Sequence, residues 1–187
     1  MRQLETDLIA LKDKALQMGA SAVKVVNIDG VKTGAWTRIK CQYGCPNYGS
    51  NLCCPPYTPT YEQMQQFLAE YSKGLLVEYT FTLSDQDNCD FAAADLSMSN
   101  GLLEILLALE KTAFLQNHYR AFALKAGRCR LCEKCNLQKC VQPVKARPSL
   151  EACGIDVFAL AKDNGFNMRV IKGPIQELKI YGLLLVE

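Results

Sequence analysis

The sequence predicts an α/β (or α+β) fold in which a mixed β-sheet carries packed helices and two cysteine-rich loops emerge on one side. Three observations predict it. Segments with helical spacing of apolar residues alternate with short runs of β-branched and aromatic residues. Ten cysteines are present, and eight of them fall into two groups inside stretches rich in turn-forming residues. The 187 residues suit a single domain, 1–187, with enough chain to bury a core without crosslinks.

Each element follows from its local pattern. Leu4, Leu8, Leu11, Ala15 and Met18 recur at helical spacing, which predicts an amphipathic helix over 2–18 stopped by Gly19. Ala22–Ile28 reads as a short strand, and Asp29-Gly30 as a turn. Residues 41–59 are rich in Cys, Pro, Gly, Asn and Tyr, which predicts an irregular loop with no helix or strand. Thr60 and Gln63 form a capping-box pattern ahead of a helix whose face is Tyr61, Met64, Phe67, Leu68 and Tyr71. Leu75–Leu83 reads as a strand, and 91–117 as a buried helix broken near Ser99-Asn100-Gly101. Arg120–Ala126 is a strand leading into the second loop, 127–148. Asp156 caps a helix from Val157 to Lys162 that Asn164-Gly165 ends, and Met168–Ile171 and Leu178–Val186 close the chain as strands.

Composition narrows the function. The formal net charge of +2 gives no reason to expect nucleic acid as a partner. The apolar runs Leu102–Leu109 and Gly182–Val186 fall far short of the ~20 residues that span a bilayer, so no membrane is expected either. Met1–Met18 has charges throughout and no apolar leader core, so the expected location is cytoplasmic. In that compartment clustered cysteines point to metal or redox chemistry rather than to disulfides.

The second group reads Cys129-x2-Cys132-x2-Cys135-x4-Cys140, with Pro143 beyond it. Successive x2 intervals let a tight loop aim thiolates at different irons of one cubane, and soft sulfur suits iron. The ferredoxin run has a three-residue last gap and an immediate proline, so Cys140 either closes the same cluster or ligates a neighbouring one. Zinc is the alternative, but structural zinc prefers paired cysteines across a longer loop or cysteine with histidine, and the chain has one histidine, His118. A lone histidine at a helix end reads as packing or surface. From Lys125 to Arg147 there are seven basic residues and one acid, Glu133. Such a face is either simply solvated, or stabilises an anionic cluster and attracts an acidic redox partner protein.

The first group offers Cys41-x3-Cys45 and Cys54 before Pro55-Pro56. Cys53 is adjacent to Cys54, and neighbouring side chains seldom reach one metal; Cys54 is the preferred ligand. Three thiolates would leave one iron open for chemistry. Tyr43, Tyr48 and Tyr57 flank these cysteines and are candidates for shielding a cluster from water. The eight-residue gap after Cys45 departs from the radical S-adenosylmethionine pattern. The metal-ligand set is therefore Cys41, Cys45, Cys54, Cys129, Cys132, Cys135 and Cys140, for one or two 4Fe-4S clusters, with Cys53 or Cys153 as candidates to complete a second set.

Several blocks together resemble the prokaryotic family of predicted metal-binding proteins, domain of unknown function 2284. They are Cys41 to Cys45 with Tyr48-Gly49, Cys54-Pro55-Pro56, Gly127 to Cys140 with Pro143, and Ala146 to Ala152 with Gly154 to Val157. The resemblance implies metal binding, of iron–sulfur type, in largely anaerobic organisms, and supplies no reaction. Cys53 and Cys89 lie outside its pattern. Within those blocks Ser149 is placed to cap a short helix from Leu150, and Arg147 reads as a brace for the cysteine loop.

The expected function is electron transfer or service as a redox subunit in anaerobic metabolism. The alternatives are an enzyme using an open-site cluster on a small molecule, and a metal- or cluster-delivery or zinc-binding interaction protein. No phosphate-cradling glycine loop, dinucleotide fingerprint or nucleophile–histidine–acid set stands out.

Overall fold

The computed structural model describes residues 2–82, 91–170 and 177–187, with the side chains of 91–95 left aside. Among the described residues five helices, α1 (Arg2–Gln17), α2 (Ala35–Gly44), α3 (Tyr61–Leu68), α4 (Phe91–Leu115) and α5 (Val157–Asp163), accompany four strands: β1 (Ala22–Asn27), β2 (Lys73–Thr82), β3 (Phe122–Leu124) and β4 (Glu177–Leu185). The sheet runs β1-β2-β4-β3, and every pairing is antiparallel. The parallel element is an isolated bridge between Lys125 and Ser149.

The two central strands are apolar on both faces, because both faces are covered. Leu75 and Val77 of β2 and Leu184 of β4 meet Leu8, Leu11 and Ala15 of α1 and Leu102, Ile105, Leu106 and Leu109 of α4. Leu76, Leu183 and Leu185 face the other way, toward Met64 and Leu68 of α3, Val157 and Leu160 of α5, and Leu150 and Ile155. Successive residues point to opposite faces, so one run of leucines serves two cores. Leu150, Cys153 and Ile155 bring the segment after the second cysteine loop into this second core.

Local signals set several boundaries. Thr60 and Gln63 form a complete reciprocal capping box. The Asp156 side chain accepts from the Ala159 N–H at 2.9 Å and starts α5. Gly19 takes φ +97° directly after α1, a conformation that disfavours any other residue.

Three expectations change. α4 runs unbroken through Ser99-Asn100-Gly101: a Cβ at Gly101 would lie 2.6 Å from the Tyr79 hydroxyl, so this glycine lets the helix approach β2 closely. Residues 168–170 form no strand: they border a cavity with Glu177 and Lys179 of β4 without pairing with it, and Met168 packs on the core; Ile171 lies outside the described residues, as do Leu83 and Cys89. The third strand is only three residues long, since Lys125 leaves the sheet to bridge Ser149. Among the described residues no helix is long and apolar enough to cross a membrane. His118 is buried between Asp7 (3.1 Å) and Glu187 (3.0 Å), a packing role as expected.

Candidate metal centre

The first cysteine segment begins inside a helix. α2 extends through Gly44, and the Cys45 N–H closes on the Cys41 carbonyl at 3.2 Å, where a helix-free loop was expected from residue 41. The x3 interval is one helical turn, so Cys41 and Cys45 lie on one face. Arg38, one turn before Cys41, fixes that helix. Its Nη1 donates to the Thr58 Oγ1 (3.0 Å) and carbonyl (3.3 Å), the Pro59 carbonyl (2.7 Å) and the Ala152 carbonyl (3.1 Å). Thr58 Oγ1 donates in turn to Ala152 O at 2.6 Å. One guanidinium thus ties α2, the end of the first loop and the 3-10 turn Glu151–Cys153 together. Sequence reasoning missed Arg38, since an arginine on a short helix reads as solvated. Arg38→Met is expected to cost about 1–3 kcal/mol. It would appear as a lower urea midpoint at unchanged slope; an unchanged midpoint would refute the tie.

Beyond Cys45 the chain turns on buried Asn51. Its Oδ1 accepts from the Cys53 N–H (3.1 Å), and its carbonyl from the Cys54 N–H (3.0 Å). Pro55-Pro56 is a cis peptide, and the Gly49 N–H donates to Pro55 O at 2.8 Å. The outcome is that adjacent cysteines part. Cys54 lines a cavity of about 300 Å³ with Cys41, Cys45, Tyr48, Arg128, Arg130 and Glu151. Cys53 lines a cavity of about 20 Å³ with Cys129, Cys132, Cys135 and Cys140. Of the three tyrosines, Tyr48 lines the larger cavity, whereas Tyr43 and Tyr57 are exposed.

The second segment hangs from Lys125. Its side chain is 1% exposed. Nζ donates to Ser99 Oγ on α4 (3.0 Å) and to the carbonyls of Ala126 (2.8 Å), Gly127 (3.1 Å) and Arg128 (2.8 Å). Its backbone closes the neck of the loop, with the Lys125 N–H on Pro148 O and the Leu150 N–H on Lys125 O, each at 3.0 Å. Arg147 braces the far end by a two-pronged pair with Glu110, whose Oε2 also accepts from the Ala123 N–H at 2.7 Å. Ser149 Oγ accepts from the Ala152 N–H at 3.1 Å, so it caps the 3-10 turn rather than a helix. Residues 127–148 contain no helix or strand, and the four cysteines are half-buried while Glu133, Lys134, Asn136–Lys139 and Val141 are exposed.

Burial and hydrogen bonding divide the thiols electrostatically. A hydrogen bond from the Cys53 thiol holds Cys129 below the usual thiol range, with the Leu131 amide and nearby Lys125 adding to it. The same bond keeps Cys53 protonated, and burial adds to that. Burial pushes the Cys41, Cys54 and Cys132 thiols up, and takes Cys153 to about 12 within the apolar core. Burial also raises Glu151 and lowers Lys125; the sulfurs of Cys129 and Cys53 oppose the latter. Among the described residues no three Cys, His, Asp or Glu side chains stand close enough to grip a single ion. The donor chemistry around the two cavities, eight sulfurs with cations beside them, fits a thiolate-bound metal.

The family model for predicted metal-binding protein, DUF2284, matches residues 24–186. The chain belongs to this family. No curated protein and no solved structure matches it. The DUF2284 match covers both cysteine segments, Lys125 and the 3-10 turn that joins them. Metal binding is thus the family's predicted property, and the two cavities are where this member gathers eight of its cysteines.

Proposed function

We propose that this DUF2284 protein is a cytoplasmic iron–sulfur protein that carries single electrons in anaerobic metabolism. Cys129, Cys132, Cys135 and Cys140 would hold a 4Fe-4S cluster, which supplies reversible one-electron chemistry when bound. The observation that carries the reading is that these four cysteines line one small cavity, in a loop whose Glu133, Lys134 and Asn136–Lys139 are exposed. Lys125 and the basic residues of 125–147 offset the negative charge of four thiolates, and Leu131 restricts water at the cavity wall. Exposed Val141 and Val144 stand among Lys139 and Lys145, a surface suited to an acidic redox partner protein.

A second reading has its own observation. Cys41, Cys45 and Cys54 border a cavity of about 300 Å³, large enough for a cluster together with a small molecule. Three thiolates would leave one iron for that molecule, as in an open-site enzyme.

Anaerobic purification with iron, sulfide and zinc quantitation, followed by electron paramagnetic resonance of the reduced protein, tests both. Iron and sulfide in equal amounts with a reversible redox couple are expected. Spectral change on adding small ligands would favour the enzyme. Ready surrender of iron to an apo acceptor would mark a delivery protein. A colourless protein holding zinc would overturn the proposal.

A further inference from the structure

Glu151 shares the cavity of Cys41, Cys45 and Cys54. Its Oε2 is buried and has no hydrogen-bond partner among the described residues. Buried carboxylate oxygens are ordinarily paired, because stripping one of water without a replacement is costly. Of the cations around it, Arg38 is engaged on the carbonyls of Thr58, Pro59 and Ala152, and Lys125 on Ser99 and three carbonyls.

The position of this carboxylate is built, not incidental. The turn Glu151–Cys153 packs against α2, the helix that carries Cys41 and leads to Cys45. The turn is held by the Ser149 cap, by the Leu150–Lys125 backbone bond and by Arg38 and Thr58 on Ala152 O. A second cavity, of about 280 Å³, reaches Cys41, Cys45 and Glu151 from the other side, with Trp36, Phe158 and Met168 in its wall. Cys41, Cys45, Cys54 and Glu151 therefore border one cavity, Cys41, Cys45 and Glu151 border the second as well, and the unpaired Oε2 lies buried at their common wall.

We propose that Glu151 supplies the fourth donor, through oxygen, to a metal centre held by Cys41, Cys45 and Cys54. This rests on the reading of those three cysteines as ligands. A carboxylate oxygen is a harder donor than thiolate, and bound to iron beside three sulfurs it marks one iron as distinct. Binding would give Oε2 the partner it lacks, and Glu151 would be the ligand a small molecule entering from the apolar side displaces.

The test uses the full chain, reconstituted anaerobically with iron and sulfide, as wild type, Cys41→Ser, Glu151→Gln, Glu151→Ala and Glu151→Asp. Iron and sulfide retained through a mild chelator and the resonance of the reduced protein are read. Cys41→Ser is expected to lose the iron of this centre. Glu151→Gln and Glu151→Ala are expected to lose it several-fold faster than wild type and to shift its resonance, with added formate restoring both in the alanine variant. Glu151→Asp, which keeps the charge but withdraws the oxygen, is expected to fall between and serves if the other variants do not fold. Wild-type retention and resonance in the folded Glu151 variants, with no response to formate, would overturn the proposal. If Cys41→Ser keeps all its iron, the three-thiolate centre itself falls, and the two failures are told apart.

Discussion

Replacing Lys125 with methionine is expected to lower stability by about 3 kcal/mol or more and to release whatever metal the second loop holds. The methionine fills similar volume and restores none of the hydrogen bonds. It leaves Ser99 Oγ and the carbonyls of Ala126, Gly127 and Arg128 without their shared donor in a site that is 1% exposed. Those three carbonyls are the backbone that leads into Cys129, so the loop loses the point from which it hangs. The positive charge beside Cys129 goes as well, and that thiol should titrate higher. Urea unfolding would show the stability change and iron quantitation the metal loss. A variant with wild-type midpoint and iron would mean that the lysine is incidental. Glu110→Gln, at the other end of the loop, should act more mildly, because Arg147 Nη1 keeps its bonds to the carbonyls of Val144 (3.3 Å) and Ala146 (2.8 Å).

Serine at Cys132 or Cys135 should strip nearly all the iron held by the second loop, whereas serine at Cys53 should leave it bound. All three line the same cavity, yet their places differ. Cys132 and Cys135 belong to the second loop, while Cys53 comes from the first loop and its thiol lies beside Cys129. A thiol that donates to a ligand sulfur raises the cluster's potential. Cys53→Ala is therefore expected to make the potential more negative at unchanged iron content. Iron loss from Cys53→Ser as complete as from Cys132→Ser would instead make Cys53 a ligand and reassign one of the other four. Measured side by side, metal content and potential separate the two roles.

Much of the scaffold was readable residue by residue. The box of Thr60 and Gln63, the Asp156 cap and the glycine after α1 are contacts within four residues of chain, so their pattern is present before any packing occurs. Gly101 misled because glycine in a helix has two meanings: a break, or a surface stripped for close approach. Only the presence of Tyr79 on β2 distinguishes them. Likewise the glycine and prolines near Cys41 argued for loop, and α2 carries on to Gly44 because the Arg38 tie and the packed 3-10 turn hold its last turn. The run Met168–Val170 has strand-forming residues, yet it borders a cavity with Glu177 and Lys179 of β4 instead of pairing with that strand.

The sequence by itself determined the alternation of helices and strands, the two cysteine segments and the soft-donor chemistry they offer, because spacing and residue type are local properties. Tertiary structure alone decided that Cys53 and Cys54 serve different cavities, that Lys125 is a buried anchor rather than part of a solvated basic face, and that Glu151 lies beside cysteines more than ninety positions away. The physical reason is that burial and partnership belong to pairs of distant segments. Whether a charge is solvated, tied or orphaned is settled when the chain closes over it.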